Sequence, residues 1–259
     1  MITSKDNDLV KDVTKLMNSA RYRRESQRFV AEGVRLCTDG ALSGATIQWF
    51  LYTEAAQQKY AAEFALLEQK AERSSAVSET LFRKMADTAA PQGFLCVFSL
   101  LDKWQDTVTI DSKGRYAALE NLQDPSNMGT ILRTAEALGI DGVILSADCC
   151  DVYAPKVVRG SMGAVFRVPL MIVDDFTAFI RSLGDNGVMT YASTPHEAVS
   201  VKQTDFSRGG VMLIGNEGNG LKPETIAACQ QSVRIEMKGR AESLNAAAAA
   251  AILLYCLQG

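Results

Sequence analysis

The stretch Arg115-Tyr-Ala-Ala-Leu119-Glu-Asn121-Leu-Gln-Asp-Pro125-Ser-Asn127-Met-Gly129-Thr-Ile-Leu-Arg133 decides how this chain is read. Its first five residues read as a strand, Asp124-Pro125 is a turn former, and Asn127 can cap a helix that begins near Met128 and runs over 129–138. The same alternation then continues: a strand at 142–145, a helix near 155–162, a strand over 165–173 and a helix over 175–183. Strands at 188–192, 211–214 and 233–237 follow, and a helix over 243–257 closes the chain. Alternating strands and helices predict an α/β fold, a mainly parallel sheet with helices on both faces. Ligands of such sheets collect at the carboxyl ends of the strands.

Two further loops leave strands in the same way. One is Leu213-Ile-Gly215-Asn-Glu217-Gly218-Asn-Gly220-Leu221; the other is Ile235-Glu-Met237-Lys-Gly239-Arg-Ala-Glu-Ser243-Leu244-Asn245. All three loops are therefore expected at one site. The glycines at 215, 218 and 220 do not have the dinucleotide spacing, which weakens a nicotinamide-dependent oxidoreductase. They do expose backbone N–H and C=O groups to a ligand. Taken singly, Asn127 and Ser243 read equally as helix N-caps, and Glu217 and Arg133 as solvated surface residues.

Together, the three stretches resemble the signature motifs of the SpoU/TrmH-type (SPOUT) RNA ribose 2′-O-methyltransferases, from Arg115 to the C-terminus. The resemblance implies S-adenosylmethionine as cofactor, bound at Gly215, Asn216, Gly218, Ile235, Met237 and Leu244. It makes Arg133 the residue most directly tied to catalysis, with Asn127, Glu217, Ser243 and Asn245 orienting it and the ribose. It further implies a deep trefoil knot and a homodimer whose active site lies at the subunit contact. Glu236 stands where the family usually has proline. A guanidinium stays protonated, so Arg133 fits an electrostatic activator of the hydroxyl better than a base.

The first hundred residues form a second α/β unit. A helix is expected over 8–19, a strand at 29–31, a helix opened by Gly33, a strand at 47–52, helices over 55–71 and 78–85, and a strand at 93–99. A polar linker at 101–114 then separates a 1–100 domain from a 115–259 domain. The pattern Arg21-Tyr-Arg-Arg-Glu with Phe29-Val-Ala-Glu32-Gly33-Val-Arg35 resembles, more loosely, the substrate-binding domain of ribosomal-RNA members, favouring ribosomal over transfer RNA. Arg21, Arg23, Arg24 and Arg28 could meet phosphates, and Arg159 could reach another. The same run reads equally as a solvated helix end.

Composition excludes several alternatives. The 259 residues are 47% hydrophobic and 22% charged with net charge −3, ordinary for a globular protein. The polar N-terminus and the lack of a long apolar run predict a cytoplasmic protein without a membrane partner. Six scattered cysteines and one histidine, His196, make a zinc site and a histidine triad poor readings, so no metal is expected. Cys149 and Cys150 read as reduced structural thiols. A transfer-RNA methyltransferase, or a silent RNA-binding protein of the same fold, remains the alternative.

Overall fold

The computed structural model describes residues 1–101 and 110–258, so most of the linker expected at 101–114 lies outside the described residues. The chain forms two compact units. The first holds Met1–Leu101 together with Asp151–Arg167; the second, as described, holds 110–150 and 168–258.

The first unit is built on a four-stranded sheet in the order β1-β4-β2-β3, from β1 (Arg28–Glu32), β2 (Ile47–Tyr52), β3 (Ser74–Ala76) and β4 (Phe94–Ser99). Helices α1 (Asp8–Asn18), α2 (Ala20–Ser26), α3 (Val34–Leu42), α4 (Glu54–Lys59), α5 (Ala61–Lys70) and α6 (Glu79–Met85) complete it. The single helix expected over 55–71 is two, broken at Tyr60, whose backbone leaves the helical region. α2 and β3 are too short for a periodic signal, and the sequence reading missed both.

The segment Asp151–Arg167 was expected in the second domain, and its place in the first unit corrects that boundary. Apolar burial is the cause. Val152, Tyr153, Val157, Val158 and Val165 are buried, the Tyr153 ring lies 4.8 Å from Phe29, and Phe166 lies 4.9 Å from Phe98. The segment carries α8 (Pro155–Gly160) and a 3₁₀ turn at Ala164–Phe166, where a strand had been expected. Gly163, at φ 88°, ends the helical run; a Cβ there would meet the Asp39 carboxylate at 2.2 Å.

The second unit is a fully parallel seven-stranded sheet in the order β7-β6-β5-β10-β8-β11-β9. Its strands are β5 (Arg115–Leu119), β6 (Gly142–Ser146), β7 (Leu170–Val173), β8 (Thr190–Ser193), β9 (Val199–Ser200), β10 (Gly210–Ile214) and β11 (Gln231–Arg234). Every residue of β6 and β10 is buried, as a central parallel strand requires. The helices are α7 (Pro125–Ala137), α9 (Phe176–Asp185), α10 (Pro223–Ala228) and α11 (Ala246–Gln258). β11 stops at Arg234 rather than running to 237, because its neighbour β9 ends opposite it at Ser200. The residues that follow, to Asn245, are irregular. α11 packs on α7 and β10, burying Ala247, Ala250, Leu253, Leu254 and Leu257. Among the described residues no helix is long and apolar enough to cross a membrane.

Candidate active site

β5 and β10 are neighbours in register, Leu119 opposite Ile214, so their carboxyl ends release the first two loops side by side. Glu217 ties them together. One carboxylate oxygen accepts from the Gln123 backbone N–H at 3.0 Å; the other accepts from the Asp124 N–H at 2.9 Å and from Asn127 Nδ2 at 3.1 Å. Burial pushes the Glu217 carboxyl up, but these three donors outweigh it and hold the group below the usual glutamate value. Asn216 Nδ2 adds a bond to the Asn121 carbonyl at 2.8 Å.

The third loop joins through Asn245. Its Nδ2 donates to Asn127 Oδ1 at 2.9 Å, and its Oδ1 accepts from the backbone of Ala247 and Ala248, so Asn245 is the N-cap of α11. The capping roles expected of Asn127 and Ser243 are both corrected. Asp124 caps α7, with Pro125 opening the helix and Asn127 one turn in, buried with its amide committed at both ends. Ser243 is exposed and has no hydrogen-bond partner among the described residues. The result is a chain Glu217–Asn127–Asn245 that knits all three loops.

Arg133 is not part of that chain. It lies six residues beyond Asn127, about one and two-thirds turns, and so projects from a different face of α7. There it is exposed, without an ion pair among the described residues, in a groove of about 590 Å³ between α7 and α11. Ile252 and Tyr255 line the opposite wall, and Tyr255 is 69% exposed.

The glycine loop is closed on itself. Asn216 and Gly220 exchange backbone hydrogen bonds at 3.0 and 2.9 Å, and Asn216 Oδ1 accepts from the N–H groups of Gly218 and Asn219. Gly215 is obligatory here, since a Cβ would lie 2.1 Å from the Gly220 carbonyl carbon. Gly220 and Gly239 face open space, while Met237 and Leu244 leave apolar surface uncovered and Ile235 is half-buried. Uncovered apolar side chains beside the open space at Gly220 and Gly239 suit a small ligand with apolar and polar parts.

Sequence reasoning missed the supports behind these loops. Glu120, buried directly after β5, accepts from the Lys222 N–H at 2.8 Å and from Thr225 Oγ1 at 2.7 Å. Ser146, at the end of β6, accepts from the Asn121 N–H at 2.8 Å and donates to Asp148, which also meets Lys222 Nζ at 3.3 Å. Cys149 Sγ accepts from the Leu122 N–H and donates to the Leu119 carbonyl, each at 3.3 Å. An acid or a polar residue just past an apolar strand was the available signal.

Of the expected phosphate-binding arginines, the structure removes two. Arg23 is buried, pairs with Asp151 at 2.6 Å and donates to the Leu16 carbonyl at 2.5 Å. Arg28 holds Asp12 with both terminal nitrogens, at 2.8 and 2.9 Å. Arg21 is exposed and bonded to Glu25, Arg24 lies over the Tyr153 ring, and Arg159 pairs with Asp87 at 2.5 Å while remaining partly exposed. Among the described residues no cluster of three His, Cys, Asp or Glu side chains could hold a metal ion.

The profile of the SpoU rRNA Methylase family matches residues 114–255, more than half of the chain. The chain belongs to that family. Residues 7–96 match the MRM3-like substrate binding domain. An uncharacterized tRNA/rRNA methyltransferase of Synechocystis is 31% identical, over 98% of this chain and 92% of its own length. The 23S rRNA (guanosine(2553)-2′-O)-methyltransferase of Bacillus subtilis is 27% identical over 100% of this chain and 99% of its own. The AdoMet-bound rRNA methyltransferase of Sinorhizobium meliloti superposes with a TM-score of 0.89 at 31% identity, covering 99% of this chain and 96% of that one.

Proposed function

We propose that this protein transfers a methyl group from S-adenosylmethionine to a ribose 2′-hydroxyl of ribosomal RNA, acting in the cytoplasm. The carrying observation is the Glu217–Asn127–Asn245 chain, which gathers the three loops at the carboxyl ends of β5 and β10. Gly215, Asn216 and Gly218 would hold the cofactor's polar parts, and Ile235, Met237 and Leu244 would cover its apolar ones. When bound, S-adenosylmethionine supplies an electrophilic methyl on a sulfonium.

The protein's task is then to position the ribose and to manage the hydroxyl proton. Glu217 is an orienting group rather than a base. Its carboxyl sits below the usual value and its oxygens are already occupied by three donors. Arg133 carries the only charge this reading assigns to the reacting hydroxyl: its cation binds the adjacent phosphate and lowers the hydroxyl's pKa. Ser243, exposed on the third loop, is available to the ribose.

The same reading includes a homodimer. Arg133 stands in an apolar groove beside exposed Ile252 and Tyr255, a surface suited to close packing by a second copy. That packing would carry Arg133 to the partner's reaction centre. The trefoil knot belongs to the proposal as well, in keeping with the return of α11 onto α7 and β10. With Arg23 and Arg28 set aside, Arg21, Arg24 and Arg159, none of them fully buried, are the cations assigned to RNA phosphates.

The test is to map 2′-O-methyl sites in ribosomal RNA from a strain lacking the gene, and to complement it with wild type or Arg133→Ala. One site should vanish and return with wild type alone. An unchanged ribose-methylation map would refute the proposal.

A further inference from the structure

We infer that Glu120 is a positioning residue for the methyl donor, a buried carboxylate that fixes the return limb of the 215–220 loop. The inference rests on the proposed cofactor assignment for that loop. Glu120 is 1% exposed and forms no ion pair among the described residues. A carboxylate withdrawn from water is costly unless both oxygens are met by donors. Here both are met, and both donors come from one short segment, the Lys222 N–H and the Thr225 hydroxyl, the latter also bonded to Thr177 Oγ1 at 2.8 Å.

That segment begins where the glycine loop ends. The loop leaves β10 at Gly215, closes through the Asn216–Gly220 pair, and re-enters the fold at buried Leu221. Its outgoing limb is gripped from the first loop by the Asn121 carbonyl on Asn216 and by the Gln123, Asp124 and Asn127 donors on Glu217. These grips are at least partly open to water. The returning limb is gripped from the same strand end by Glu120, whose bond to the Thr225 hydroxyl is buried and whose bond to the Lys222 N–H is partly so. A hydrogen bond shielded from water is stronger than one exposed to it, so Glu120 sets how far the loop can open on that side. It does this through backbone, without touching the donor or the ribose.

The decisive comparison is between Glu120→Ala and Glu120→Gln. Alanine removes both grips. Glutamine keeps them, because its Oε1 can accept from Lys222 while its amide donates to a rotated Thr225 hydroxyl. Titration calorimetry with S-adenosylhomocysteine should show the Kd raised about tenfold in Glu120→Ala and within about two-fold of wild type in Glu120→Gln. With saturating donor, kcat in Glu120→Ala should stay within about three-fold while KM for the donor rises. Hydrogen exchange on ligand-free protein should show faster exchange across 215–222 in the alanine variant alone. Should Glu120→Ala not fold, Thr225→Val removes one donor at nearly constant volume and should give an intermediate rise in Kd. An unchanged Kd with unchanged exchange, or a loss of kcat in proportion to lost folded protein, would overturn the inference. If wild type itself fails to bind S-adenosylhomocysteine, the cofactor assignment falls, and with it the inference about the donor.

Discussion

Arg23→Ala tests whether the arginine run before β1 is a phosphate site or part of the fold. The Arg23 side chain is 5% exposed and its partner Asp151 12%, with Nε and Oδ2 2.6 Å apart. Nη1 also donates to the Leu16 and Met17 carbonyls. Truncation leaves the largely shielded Asp151 without its cation and two backbone acceptors without that donor. Breaking a buried pair by removing one partner costs about 3–5 kcal/mol. For a unit of this size that corresponds to a fall in melting temperature of roughly 10–20 °C. The assay is thermal unfolding by circular dichroism, beside RNA binding measured across salt concentrations at a temperature where the variant is folded. The folded variant should keep the wild-type slope of log affinity against log salt. An unchanged melting temperature with a slope reduced by about one unit would refute the structural assignment and return Arg23 to the RNA interface.

Three other outcomes are expected. Gly215→Ala should abolish binding of S-adenosylhomocysteine by calorimetry, because its Cβ would overlap the Gly220–Leu221 peptide. Ile252→Glu or Tyr255→Asp should yield a monomer in sedimentation velocity and lose methyl transfer while the far-ultraviolet spectrum is retained, since each places a charge in the apolar groove. Glu217, whose folded carboxyl lies below its unfolded value, contributes stability that is present above the unfolded pKa and lost as pH falls through the folded one. The melting-temperature gap between wild type and Glu217→Gln should therefore be present at neutral pH and close below about pH 4; a gap that persists in stronger acid would show that charge is not its origin.

The sequence by itself determined the parallel α/β character of the second unit, because buried central strands such as β5, β6 and β10 must be continuous apolar runs. It also determined that three loops leave the carboxyl ends of strands, and it singled out Asn127, Glu217 and Asn245 within them. Tertiary structure alone decided which of those side chains meet. Asn127 and Asn245 are far apart in the chain, and only the return of α11 beside α7 brings their amides to 2.9 Å. The same applies to charge. Arg21, Arg23, Arg24 and Arg28 look alike in sequence, yet Asp151 and Asp12 consume two of them, and a local run of basic residues carries no record of a distant carboxylate that will fold against it. Glu120 is the clearest case: one acid after a strand, made a grip on the second loop by donors 102 and 105 residues away.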